Sequence, residues 1–138
     1  MSRTTDYRVL VEWGDCDPAG IVFYPYYFRW FDYATDQLFD EAGLPTHDLV
    51  ERFGVVGKPI AEATSRFLVP SRYRQRLVVR TRIESWQAKR FTVLHQGLRD
   101  GQLLFEGREV RFLGARHPEH PDRLRAIPIP AEMIALFG

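Results

Sequence analysis

The chain has 138 residues, of which 45% are hydrophobic and 14% aromatic. That suffices for one folded domain with a genuine core, is too short for two, and is too apolar for a disordered chain. A formal net charge of +1 points to no polyanionic partner, so nucleic acid is not favoured. The single cysteine, Cys16, excludes an intramolecular disulfide and fits a reducing compartment. Met1 to Asp6 is polar and lacks the apolar centre of a signal peptide, and no run approaches the ~18 apolar residues of a membrane span. By elimination the expectation is a cytoplasmic protein that does not enter a membrane.

Tyr7, Val9, Val11 and Trp13 alternate with Arg8, Leu10 and Glu12, the period of a first strand. Gly14-Asp15-Cys16-Asp17-Pro18-Ala19-Gly20 follows as a tight turn. Pro25 suits an early helical position, and Tyr27, Trp30, Phe31, Ala34, Leu38 and Ala42 recur at helical spacing until Gly43 and Pro45 stop the run. So aromatic a stripe predicts a helix laid deep against a sheet. Thr46 opens a short second helix to about Phe53. Val55 to Val69 is compatible with a strand, bent or at an edge where Gly57 and Pro59 interrupt it. Leu77 to Glu84 alternates, and Phe91–Arg99 and Gln102–Leu113 flank Asp100-Gly101, a two-residue hairpin signal. A loop with His117, Pro118, His120 and Pro121 leads to Arg123–Ile127 and a short terminal helix. One strand, one long helix and then antiparallel strands define an α+β domain spanning residues 1–138, its curved sheet wrapped around one long helix.

The turn carries the chemistry. Asp17 stands just before a helix N-terminus, where unpaired N–H groups and the positive end of the dipole gather. A carboxylate beside preorganised amide donors is half of an acyl-transfer site: one group attacks or activates water, the other receives the developing oxyanion. Taken alone, an Asp in such a Pro/Gly turn is more often a turn or capping residue, and Asp15 competes for the role. Cys16 is a poor nucleophile between two aspartates, which hold its thiol pKa up, and reads as a small buried hydrophobe. His117 and His120 lack a third metal ligand apart from Glu119, and neither His47 nor His95 has an evident triad partner. Arg66, Arg72, Arg74, Arg76, Arg80 and Arg82 occupy a stretch free of Asp and Glu between Glu62 and Glu84. They form either a solvated strand face or a rim attracting a phosphorylated small molecule.

Trp13-Gly14-Asp15-Cys16-Asp17-Pro18-Ala19-Gly20-Ile21-Val22, with Pro25, Tyr27, Arg29 and Trp30, resembles the 4-hydroxybenzoyl-CoA thioesterase family. The likeness continues through Gly43-Leu44-Pro45, Val56-Gly57, Pro59-Ile60, Trp86, Lys89, Phe91 and Arg123-Leu124-Arg125-Ala126-Ile127, and so covers essentially the whole chain. The resemblance implies the hotdog fold and hydrolysis of an acyl-CoA thioester, 4-hydroxybenzoyl-CoA being the best single substrate, with no metal and no redox cofactor. It implies Asp17 as nucleophile or general base and the backbone N–H at Tyr24 as the group polarising the thioester carbonyl. Asp32 matches a position facing a ring hydroxyl, beside the plainer reading of a solvent-facing helical Asp. Lys89 and Arg125 match positions contacting CoA phosphates from neighbouring subunits of a homotetramer, a dimer of dimers. Lys58 and Gln87-Ala88 depart from the pattern, and Arg90 supplies a substitute charge. Two alternatives stand beside this reading: a short-chain or broad acyl-CoA thioesterase, and a non-catalytic acyl-CoA binding module. A hydro-lyase would call for a His paired with an acid at the turn, which the sequence does not offer.

Overall fold

In the computed structural model, residues 2–138 are described. The chain forms β1 (Thr4–Leu10), α1 (Pro25–Glu41), α2 (Thr46–Phe53), β2 (Ile60–Phe67) and β3 (Arg76–Trp86). It continues through β4 (Phe91–Arg99), β5 (Gln102–Arg111), β6 (Gly114–Arg116), β7 (Leu124–Ala126) and α3 (Ala131–Ala135). Five strands make one antiparallel sheet in the order β1-β3-β4-β5-β2. The sheet curves around α1, whose buried face of Tyr27, Trp30, Phe31, Ala34, Leu38 and Phe39 lies against it. This is the hotdog architecture. No helix among the described residues is long and apolar enough to cross a membrane.

The period-2 pattern places the right residues inward. Val9 and Val11 from the first strand region, Leu77, Val79 and Ile83 from β3, and Phe91 and Val93 from β4 are all buried. Each large apolar side chain removed from water contributes about 1.5–3 kcal/mol, and the aromatic stripe of α1 concentrates that contribution in one helix. Two apolar clusters result. One gathers the first half of α1 with Val9, Val11, Leu77, Val79 and Phe105; the other gathers its second half with α2, α3, Ile83, Phe91 and Leu113.

Several boundaries differ from the sequence expectation. β1 ends at Leu10 rather than near Trp13, because Trp13–Asp15 winds into a 3-10 turn and Asp15 Oδ2 accepts the Glu12 N–H at 2.9 Å. Trp13 therefore leaves the sheet and is exposed. β2 begins only at Ile60, since Gly57 adopts φ 156° and bridges to Gly114 outside the main sheet. The segment around His117 lies in a connection between β6 and β7, two short strands that pair with each other. The hairpin at Asp100-Gly101 forms as expected, both residues taking positive φ.

Candidate active site

The Asp17 turn is tied down from four sides. Asp17 N–H donates to the Ile21 carbonyl at 2.9 Å, and Gly20 N–H returns to the Asp17 carbonyl at 2.9 Å. Gly20 takes φ 79°, a left-handed conformation that favours glycine. Ala19 N–H donates to Asp17 Oδ1 at 2.8 Å, an Asx turn that fixes the carboxylate. Phe23 N–H donates to the Asp15 carbonyl at 2.9 Å, closing the loop from just before Asp17 to just before α1. Asp17 is half-buried, and its Oδ2 has no hydrogen-bond partner among the described residues. Asp15 likewise accepts one backbone N–H through one oxygen, that of Glu12 at Oδ2, at the 3-10 turn. The two acids differ in place rather than in bonding: Asp15 closes the 3-10 turn, whereas Asp17 lies within the closed loop that leads into α1.

The loop delivers the chain into α1 at Tyr24. Tyr26 N–H donates to Phe23 and Tyr27 N–H to the Tyr24 carbonyl, while Pro25 has no N–H. The Tyr24 N–H itself meets no acceptor among the described residues. An unpaired amide at a helix start and a free carboxylate oxygen on the loop before it are the two kinds of group that acyl transfer uses.

Cys16 is half-buried, with Sγ 3.5 Å from the Glu12 carbonyl. Burial, then the charges of Asp15 and Asp17, raise its pKa, which disfavours the thiolate. Around the turn, the structure adds neighbours that periodicity did not single out. Trp13 packs edge-on to Tyr73 at 5.4 Å, and Tyr73 N–H donates to Gly20. Arg72 bridges to Ile21, so the arginine-rich stretch passes directly beside the site.

Asp32 is more than a solvated helical residue. Its carboxylate remains 58% exposed, yet Oδ1 accepts from Arg111 Nη2 at 2.8 Å. Arg111 is buried, and the same Nη2 donates to Glu109 Oε2 at 2.8 Å while Nη1 donates to the Lys58 carbonyl at 2.8 Å. Glu109 Oε1 in turn lies 2.8 Å from His95 Nε2 and accepts from Thr35 Oγ1 at 2.6 Å. The Thr81 hydroxyl lies 2.7 Å from His95 Nδ1, and the imidazole stacks on Phe31 at 4.6 Å. Burial lowers the His95 pKa, so a neutral ring donating from Nε2 to Glu109 and accepting from Thr81 satisfies every group. Burial opposes the Glu109 charge, but the His95 hydrogen bond and the Arg111 charge outweigh it and hold that carboxyl at about 2. Sequence reasoning found no partner for His95. The partners lie on other elements: Thr81 stands opposite His95 on β3, Glu109 lies on β5 two residues beyond Gly107, which stands opposite His95, and Thr35 comes from α1.

Lys58, one of the departures from the family pattern, is buried. Its Nζ contacts Asp36 Oδ1 at 3.2 Å and Thr46 Oγ1 at 3.3 Å and sits 4.8 Å from the Phe39 ring centroid. It therefore clamps α1 to α2 rather than facing a ligand.

Lys89 and Arg90 are exposed in the loop joining β3 to β4, and Arg125 is exposed on β7. Ile129 N–H donates to the Ala88 carbonyl at 2.8 Å, which brings the segment after β7 to that loop. None of these cations is near Asp17 of the same chain. The Asp17 turn is bonded to the stretch leading into Arg76, whereas the basic loop follows Trp86 at the other end of β3. At ~3.3 Å per residue, that strand separates them by on the order of 30 Å. His117 and His120 lie with ring centroids 5.0 Å apart, and His117 Nδ1 accepts the Glu119 N–H at 3.1 Å.

A curved sheet around one aromatic helix, with a free carboxylate at that helix's start, defines a thioester-hydrolase scaffold. The chain belongs to the thioesterase-like superfamily, whose family model matches residues 11–137. It is 38% identical to a 4-hydroxybenzoyl-CoA thioesterase from Pseudomonas sp. (strain CBS-3), over 99% of each chain. Among solved structures it is similar to the D17N mutant of 4-hydroxybenzoyl-CoA thioesterase complexed with 4-hydroxybenzoyl-CoA. That match has a TM-score of 0.89 and 36% identity, covering 99% of this chain and 100% of the other. It is also similar to a gentisyl-coenzyme A thioesterase, with a TM-score of 0.80 and 32% identity over 96% of this chain and 98% of that one.

Proposed function

We propose that this protein hydrolyses an aromatic acyl-CoA, with 4-hydroxybenzoyl-CoA the preferred ester, to the free acid and CoA. The observation that carries the reading is the pairing of a free Asp17 carboxylate oxygen with an unpartnered Tyr24 N–H across one tightly closed loop. The relatives of high identity that act on 4-hydroxybenzoyl-CoA and gentisyl-CoA support an aryl ester, since both acyl groups are hydroxylated rings.

Two routes use the same atoms. In the first, Asp17 Oδ2 adds to the thioester carbonyl carbon while Tyr24 N–H steadies the oxyanion. The C–S bond then breaks, CoA leaves as the thiolate, and water hydrolyses the mixed anhydride. In the second, Asp17 takes a proton from water, and the resulting hydroxide makes the same attack. In both, Asp32 accepts the ring hydroxyl, and Lys89, Arg90 and Arg125 engage the phosphates of CoA. Because a single chain holds these cations on the order of 30 Å from Asp17, a neighbouring protomer supplies them, in a homotetramer built as a dimer of dimers. Edge strand β2, exposed along almost its whole length, supports assembly.

The test is thiol release from 4-hydroxybenzoyl-CoA, benzoyl-CoA and hexanoyl-CoA, with wild type beside Asp17→Asn. The substitution should lower turnover by roughly 10²–10⁴-fold while leaving CoA-ester binding intact. Equal turnover of all three esters would replace the aryl reading with a broad acyl-CoA thioesterase. Binding of the esters without thiol release would make the protein an acyl-CoA binding module.

A further inference from the structure

Asp32 can select for a hydroxylated ring only if its carboxylate is held in one orientation, and an exposed side chain on a helix surface is not held by packing. Asp32 is anchored instead by Arg111, which is 4% exposed and lies beneath it. Arg111 is itself fixed by three further contacts. Nη2 and Nε reach the two oxygens of Glu109 at 2.8 and 3.3 Å, and Nη1 donates to the Lys58 carbonyl at 2.8 Å. Glu109 in turn is pinned by His95 and Thr35, both fully buried. The result is a chain of charge-assisted hydrogen bonds from the centre of the sheet to the surface of α1. It leaves Asp32 Oδ1 occupied and Oδ2 without a partner among the described residues.

We propose that Arg111 is the positioning residue that sets acyl-group preference: it locks Asp32 so that Oδ2 is presented to the ring hydroxyl of the substrate. The inference rests on the aryl-ester reading above, and it adds that the selectivity resides in the buried Glu109–Arg111 pair as much as in Asp32. A guanidinium is suited to the task because its planar fork satisfies several acceptors with one rigid group, which an ammonium cannot match. An acceptor held in place rewards a substrate hydroxyl and penalises its absence, because the ester without it leaves the site's polar group unmet.

The experiment is the ratio of kcat/KM for 4-hydroxybenzoyl-CoA over benzoyl-CoA, measured in wild type, Arg111→Lys, Asp32→Ala and the double variant. Thermal unfolding of each reports that it is folded. Wild type should prefer the hydroxylated ester by roughly 10²-fold or more. Arg111→Lys should reduce that ratio by roughly tenfold or more, chiefly by slowing the hydroxylated ester and sparing benzoyl-CoA. In the Asp32→Ala background the same change should leave the ratio untouched, since the residue acts through Asp32. Should the lysine variant not fold, Glu109→Gln/Arg111→Gln replaces the ion pair by neutral partners and must lower the ratio in the same way. A folded Arg111 variant that keeps the wild-type ratio, or loses both esters equally, overturns the inference alone. A wild-type enzyme with no preference removes the aryl reading beneath it.

Discussion

The buried Glu109 carboxylate is held well below its ordinary pKa, and the departure has a pH signature. His95 and Arg111 hold its pKa at about 2 against an ordinary 4.5, despite the opposing effect of burial. A folded-state pKa below the unfolded one contributes stability that is present above about 4.5 and is lost as pH falls toward 2. The His95 pKa is also lowered, by burial first, from an ordinary 6.5. The unfolded chain accepts that proton more readily, so this group too weakens the fold as pH drops below about 6.5. Both groups push in one direction. The melting temperature should fall as pH is lowered through 6.5 and more steeply below 4.5. In Glu109→Gln the fall below pH 4.5 should flatten, even though the variant is less stable at neutral pH. A wild-type melting temperature unchanged between neutral pH and pH 4 would contradict the account. At this scale the sequence was informative about Asp17, whose Pro/Gly turn and following helix are local signals. It was silent about His95, because Thr81, Glu109 and Arg111 lie on other strands and are brought together only by register.

The elements show the same division between local and non-local information. The aromatic stripe of α1 and the Asp-Gly hairpin follow from spacing and turn chemistry, and β4 keeps the expected bounds Phe91–Arg99. Where β1 stops and where β2 starts depends on Asp15 capping the 3-10 turn and on Gly57 pairing with Gly114, neither of which has a periodic signature. The fit of α1 to the sheet depends on what β4 and β5 lack. A Cβ at Gly107 would enter the Phe31 ring, and one at Gly97 would enter the Phe105 ring. These glycines face the two aromatic side chains that fill the space between helix and sheet, and the His95 ring stacks on Phe31 beside them. Gly107→Ala should therefore act by overpacking, at a cost of about 1–3 kcal/mol. For a domain of this size the melting temperature should drop by roughly 3–12 °C, as measured by circular dichroism. Phe31→Leu in the same chain should restore part of the loss by vacating the ring's space. If Gly107→Ala proves neutral, the helix does not seat on the sheet as closely as described.

For the whole molecule, the distribution of charge along β3 matters more than its total. The net charge of +1 conceals a chain with Asp17 at one end of the sheet and Lys89, Arg90 and Arg125 toward the other. A ligand carrying a thioester and phosphates meets both sets only if two protomers contribute to each site. Lys89→Ala with Arg125→Ala should accordingly raise KM with little change in kcat, because phosphate contacts stabilise ground and transition states alike. Asp17→Asn should do the reverse. Mixing the two variants, each impaired for a different reason, then separates shared sites from self-contained ones. After subunit exchange at equal concentrations, a site drawing its carboxylate and its cations from different chains is wild-type in about one case in four. Turnover at low substrate should then appear that neither variant shows alone, with the wild-type KM. If each chain served its own Asp17 with its own cations, every site in the mixture would carry one of the two lesions and no low-KM activity would emerge. Recovery of that activity would fix the arrangement of the site between protomers, and its absence after verified exchange would place the phosphate contacts elsewhere, the exposed arginines beside the Asp17 turn being the first to replace.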